Sequence, residues 1–73
     1  MLTTRTFRHD NYEMQCSARA MDRGTYVPEL VVCKTTWPTR PRVIAVRREV
    51  CLTAEVAIEV AHAQGIAWIA DYG

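Results

Sequence analysis

The 73-residue sequence predicts an α+β domain, a three-stranded antiparallel β-meander with one long C-terminal helix packed on one face. Three observations lead to this prediction. Apolar and polar residues alternate over residues 12–20, a glycine-containing turn at 22–24 precedes a valine-rich segment, and residues 53–73 are rich in alanine and glutamate. Alternation with a period of two is typical of a half-buried strand, and alanine and glutamate are strong helix formers.

The composition is that of a globular protein. Hydrophobic residues make up 49% of the chain and charged residues 23%, unlike the charge-rich profile of disordered chains. No stretch approaches the roughly 18 apolar residues of a membrane span, and the N-terminus lacks a signal-peptide core. We therefore expect a soluble, cytoplasmic protein with a single α+β domain over residues 12–73. Residues 1–11 show no period and are predicted to be a flexible N-terminal arm.

The loop at residues 22–24 fixes the register of the first hairpin. Counting outward from this loop places Met14 opposite Val32. One face of the hairpin is then wholly apolar, and it contains Met14, Cys16, Ala18, Ala20, Tyr26, Pro28, Leu30 and Val32. The reverse face is mixed. Pro28 lacks a backbone donor, so we expect it at an edge or where the hydrogen bonding of the second strand lapses.

A basic segment follows the second strand. Two prolines in residues 37–41 prevent the strand from continuing. The β-branched content of residues 42–50 predicts the third strand, with Ile44 and Val46 facing the core. Residues 34–48 contain Lys and Arg but no acid, whereas residues 49–73 contain acids but neither Lys nor Arg.

Thr53 is the predicted N-cap of the helix, and Glu55 lies in its first turn. At ~100° per residue, the larger side chains share one band that we expect to pack on the sheet: Ala54, Ala57, Ile58, Ala61, Gly65, Trp68, Ile69 and Tyr72. A break at Gly65 is the alternative, which would give the order β-β-β-α-β with a strand after it. We favour one helix because the band runs in phase through Gly65.

A second apolar stripe lies on the opposite side of the predicted helix. It consists of Val56, Val60, Ala63 and Ala67. A helix covered on one side only should be polar there, so the stripe predicts contact with a protein partner or a second copy of the chain. Oligomerisation would also supply burial to so small a chain. The predicted function is a small non-enzymatic binding module that acts through protein contacts and can self-associate.

Nucleic-acid binding is the alternative function, through the open sheet face and the basic 34–48 segment. Phosphate contacts and base stacking would come from Arg19, Trp37, Arg40, Arg42 and Arg47. The net charge of +1 and the apolar residues Val27 and Val43 on that face argue against it, because phosphate-binding surfaces are usually strongly basic.

No catalytic, metal or cofactor site is predicted. Cys16, Cys33 and Cys51 are widely spaced and form no CxxC motif, so neither a disulfide framework nor a zinc site is indicated. His9 and His62 have no cysteine or second histidine at ligand spacing. A Gly-rich phosphate loop is also lacking. We therefore expect a protein that is not an enzyme and needs no cofactor.

Two likenesses to known families follow from longer segments. YVPELVV, WPTRPR and TAEVAIEVAHAQGIAWIADYG together resemble small proteobacterial proteins of the Burkholderia type, in which a β-rich half precedes an Ala-rich helix ending in a Trp-Ile pair, here Trp68 and Ile69. That resemblance covers most of residues 12–73 and implies no activity. A looser likeness is to the antitoxin half-domain of order β-β-β-α-β, a truncated ribonuclease H fold that binds a toxin. It implies a strand after Gly65, and the WPTRP loop departs from its pattern.

Overall fold

A computed structural model describes residues 2–36, 41–44, 46 and 49–72 of the chain. The elements of this described part are the strands β1 (Leu2–His9), β2 (Tyr12–Ala20), β3 (Tyr26–Lys34) and β4 (Arg42–Ile44), and the helix α1 (Ala54–Tyr72). The strands form one antiparallel sheet in the order β1-β2-β3-β4. The α+β class with one C-terminal helix is therefore confirmed, whereas the predicted number of three strands is wrong by one.

The additional strand is β1, which occupies the segment predicted to be an N-terminal arm. It pairs with β2 along its whole length, from Leu2 opposite Arg19 to His9 opposite Tyr12. A two-residue loop joins the strands, and Asp10 in this loop has a φ of 53°. Aspartate tolerates this left-handed region better than most residues, and tight hairpin loops require it. The N-terminal segment is thus part of the sheet.

The register predicted for the hairpin of β2 and β3 is confirmed. Met14 lies opposite Val32, and the pairing continues without a shift to the turn. At the turn, the Met21 N–H donates to the Thr25 carbonyl oxygen at 2.8 Å. Gly24 has a φ of 70°, which glycine adopts without a steric penalty.

The pairing between β3 and β4 is short and has a gap. Three pairs join the strands, ending at Leu30 opposite Ile44, and a further isolated bridge joins Tyr26 to Cys51. Between these contacts the sequence has three residues on β3 (27–29) and six on the other side (45–50), of which 46, 49 and 50 are described. The predicted strand at 42–50 is thus corrected to Arg42–Ile44 among the described residues, because residues 46, 49 and 50 are not in a strand. Ala45, Arg47 and Arg48 lie outside the described residues.

Pro28 lies at the centre of this gap. Tyr26 exchanges both backbone hydrogen bonds with Cys51, and alternate residues of a strand direct their backbone groups to the same side. The missing N–H of Pro28 would therefore point into the gap. This position agrees with the expectation that Pro28 lies where the hydrogen bonding of the strand lapses.

The helix α1 continues through Gly65 to Tyr72, so the alternative strand after Gly65 is not formed. The Val56 N–H donates to Thr53 Oγ1 at 3.2 Å, as expected for an N-cap. Gly65 is buried, and a Cβ atom built there would lie 2.5 Å from Met14 Sδ. This close approach accounts for a glycine in the helix interior, despite its usual cost of roughly 1 kcal/mol.

The core lies between α1 and the facing side of β2 and β3. Its buried hydrophobic residues are Met14, Cys16, Ala18, Leu30, Val32, Cys51, Ala57, Ile58, Ala61 and Ile69. The rings of Phe7 and His62 stack with centroids 4.0 Å apart, which attaches β1 to the helix. Tyr72 was predicted to pack on the sheet but is 73% exposed, because it lies at the helix end beyond the core. No helix of the described residues is long and apolar enough to cross a membrane.

Candidate functional site

The two faces of the sheet differ because α1 covers only one of them. We call the uncovered side the open face. Its described side chains from β1 and β2 are mainly polar: Thr4, Thr6, Arg8, Glu13, Gln15, Ser17 and Arg19. Those from β3 and β4 are mainly apolar: Val27, Glu29, Val31, Cys33 and Val43. An uncovered sheet face is usually polar throughout, so the half formed by β3 and β4 requires an explanation.

A groove of about 660 Å³ opens beside β3. It lies where the chain after β4 separates from β3, and we call it the β3 groove. Aliphatic side chains from both sides of the gap line it, including Val27, Val31, Val43, Val46 and Val50. Val43 is 85% exposed and Val50 71% exposed. The β3 groove and the apolar half of the open face therefore form one continuous surface.

The charged side chains of the open face are balanced. Arg19 Nε donates to Glu29 Oε1 at 2.5 Å, and both side chains are partly exposed. The hydrogen bond to Glu29 raises the pKa of the Arg19 guanidinium, which keeps that group protonated. Arg8 lies opposite Glu13 on the neighbouring strand. The described open face thus carries two arginines and two glutamates, and its formal charge is zero.

The three cysteines do not have the character of nucleophiles. None of them forms a disulfide. Burial raises the pKa of Cys16 to about 11, and burial followed by the charge of Glu13 raises the pKa of Cys33. Burial followed by Glu49 also raises the pKa of Cys51. A reactive cysteine needs the opposite shift, because the thiolate is the nucleophile.

The arginines proposed for nucleic-acid contacts do not share one surface. Trp37, Arg40 and Arg47 lie outside the described residues. Arg19 is on the open face and bonds to Glu29. Arg42 lies opposite Val32, which is buried on the side of α1. Since paired residues project to the same face, Arg42 projects to the opposite side of the sheet from Arg19.

The second helical stripe is smaller than the sequence pattern indicates. Val56 is 45% exposed, and Ala63 and Ala67 are exposed. Val60 is instead half-buried and packs against the core. Ile66, at the limit of the stripe, is also partly exposed. The outer helix surface therefore presents fewer large aliphatic side chains than the β3 groove and the apolar half of the open face.

Metal chemistry and known relatives add no further site. No group of three or more His, Cys, Asp or Glu side chains that could hold a metal occurs in the described part of the chain. Comparisons with family models, curated proteins and solved structures found no match. The likenesses to the Burkholderia-type proteins and to the antitoxin half-domain therefore stay predictions.

The β3 groove was missed by sequence reasoning. Val50 was assigned to a continuous third strand, and nothing in the local pattern indicates that the chain leaves β3 before this residue. The one signal was Pro28, whose missing donor marks the strand segment that the gap exposes. The sequence alone places the apolar residues Val27 and Val43 on the open face.

Proposed function

We propose that the protein is a small binding module that acts through protein contacts and self-associates through the β3 and β4 half of its open face. The observation that carries this proposal is the continuous aliphatic surface formed by that half and the β3 groove. Val43 and Val50 are the most exposed of its members. Removing such side chains from water contributes about 25 cal/mol per Å² of apolar area, so covering this surface favours association.

The charge of the open face fits a second copy of the chain as the occupant. A two-fold axis brings the same surface of both molecules together, so a surface of one sign would repel itself. The strands of the described open face are neutral, because Arg8 and Arg19 are balanced by Glu13 and Glu29, and Glu49 at the β3 groove adds a single negative charge. Two open faces can therefore approach each other with little net repulsion.

Concentration-dependent mass measurements test the proposal. We expect the mass of the wild type to rise from one chain towards two as the protein is concentrated. Val43→Glu should remain a single chain, because a charge would be buried in the contact. Val56→Glu is the matched control on the outer helix surface and should behave like the wild type. Circular dichroism of each variant verifies that the fold is kept.

Two outcomes would contradict this interface. A wild type that stays monomeric at all concentrations removes self-association altogether. Loss of the dimer in Val56→Glu but not in Val43→Glu would place the contact on the helical stripe instead. Val56 is preferable to Val60 for this comparison, because Val60 packs against the core and a charge there would disturb folding.

A further inference from the structure

The outer edge of β1 directs free backbone groups away from the sheet. The backbone of Tyr26 bonds to Cys51, so the N–H and C=O groups of even-numbered β3 residues point to β4 and those of odd-numbered residues point to β2. The registers carry this alternation to the next strands. The backbone groups of even-numbered β2 residues point to β1, and those of odd-numbered β1 residues point to β2. The N–H and C=O groups of Thr4, Thr6 and Arg8 therefore point outward.

This edge carries two arginines but lacks the short length, proline and bulges that also hinder strand addition. Its eight residues contain no proline or glycine, and the register with β2 has no bulge. No hydrogen bond from the described residues reaches its outward side. The opposite edge of the sheet, β4, has three residues within the described part of the chain. A long, regular edge strand is a ready template for another strand.

The charge of β1 indicates the chemistry of the added strand. Arg5 and Arg8 are exposed, and β1 contains no Asp or Glu. Neither arginine forms an ion pair with a described residue, and Arg8 forms none with Glu13, although the two lie opposite each other. Because they are at odd and even positions, the two arginines project from opposite faces of the sheet.

A second copy of β1 is a poor occupant of this edge. In an antiparallel pair of β1 strands, the hydrogen bonds must form between the outward-pointing backbone groups of the even-numbered residues. In the registers of greatest overlap, Arg5 then lies opposite or diagonal to Arg5 of the second copy. Like charges directly opposite each other destabilise a sheet, so the edge favours a strand that carries acids.

We propose that the outer edge of β1 binds an extended acidic segment of another protein, which adds to the sheet as a further strand. Backbone hydrogen bonds from Thr4, Thr6 and Arg8 hold the segment. One carboxylate on each of its faces pairs with Arg5 and Arg8. This edge is distinct from the apolar half of the open face, so both surfaces can be occupied at once.

Fluorescence anisotropy with a defined peptide tests the proposal. The probe is a labelled eight-residue peptide of valine and threonine with two glutamates three positions apart, which places one carboxylate on each face. The comparison peptide has lysine in place of both glutamates. We expect the glutamate peptide to bind at least tenfold more tightly and to weaken as salt rises, because the ion pairs are exposed.

Thr6→Pro tests the backbone part of the proposal, since it removes an outward N–H that β2 does not use. It should weaken peptide binding at least tenfold, whereas the matched variant Thr6→Ala, which keeps the N–H, should not. The doubly substituted Arg5→Gln, Arg8→Gln protein keeps every backbone donor. It should lose the preference for glutamate over lysine, and it remains informative if the proline variant fails to fold.

Several results would overturn the proposal. They are absence of binding at low salt, equal affinity for the two peptides, or unchanged binding by a folded Thr6→Pro protein. A change in the concentration-dependent mass on Thr6→Pro would show that a second copy occupies the edge. A monomeric wild type that binds the glutamate peptide would sustain this proposal while contradicting self-association through the open face.

Discussion

At the scale of single residues, the contact between Gly65 and Met14 sets the distance between the helix and the sheet. Met14 is fully buried, and a Cβ atom at position 65 would meet its sulfur and, at 3.4 Å, the Leu30 methyl groups. The sequence predicted the unbroken helix, because the apolar band runs in phase through Gly65. It did not identify Met14 as the contact, since that depends on where the helix crosses β2.

Gly65→Ala is expected to destabilise the protein by about 1–2 kcal/mol, because overpacking outweighs the helical preference of alanine. In a Met14→Ala background the same substitution should stabilise, since the obstructing sulfur has been removed. Urea unfolding of the four proteins in this double-mutant cycle measures the coupling. If Gly65→Ala stabilises the wild type, the helix does not lie as close to β2 as described.

At the scale of elements, the sequence predicted those that bury an apolar face. The β2 and β3 register could be counted from the turn, and the faces it defines were confirmed. The strand β1 was missed because it is an edge strand, and Phe7 is the hydrophobic side chain among its described residues that packs against the core. Without an apolar period, the only indication of β1 was the Asp10-Asn11 loop. The end of β4 could not be predicted, because the chain has three residues between its contacts on one side of the gap and six on the other. No local sequence pattern reveals this difference.

The start of α1 allows a test at this scale. Thr53→Ala removes the hydroxyl that accepts the Val56 N–H, so we expect it to lower the free energy of unfolding by about 1 kcal/mol. Thr53→Ser keeps a hydroxyl at the same position and should retain most of the stability. Chemical unfolding of both variants measures the difference. Equal destabilisation by Ser and Ala would mean that the hydroxyl does not cap the helix.

At the scale of the whole molecule, folding and association are expected to be linked. A domain of this size buries only about 60% of the surface that its unfolded chain exposes, and covering the β3 groove would add to that burial. Composition alone indicated this need for additional contacts. Composition could not identify the surface that associates, because the sequence places exposed apolar residues on both the helical stripe and the open face. The structure separates the two, since Val60 of the stripe packs against the core.

This linkage predicts a melting temperature that depends on concentration. Anything that binds the folded state alone stabilises it by mass action, so a hundredfold rise in protein concentration should raise the Tm of the wild type by roughly 5 °C. The Tm of Val43→Glu should not change over the same range. Calorimetry at several concentrations measures both proteins. A wild-type Tm that does not change with concentration would show that association does not stabilise the folded state.

The order of the strands also has a consequence for biosynthesis. Each strand pairs with the strand next to it in the chain, so the sheet can assemble progressively as the polypeptide leaves the ribosome. The helix that covers Met14, Leu30 and Val32 is synthesised after the strands, because α1 begins at Ala54. Until then these side chains face water. A chain truncated before the helix is therefore expected to aggregate, even though every strand is present.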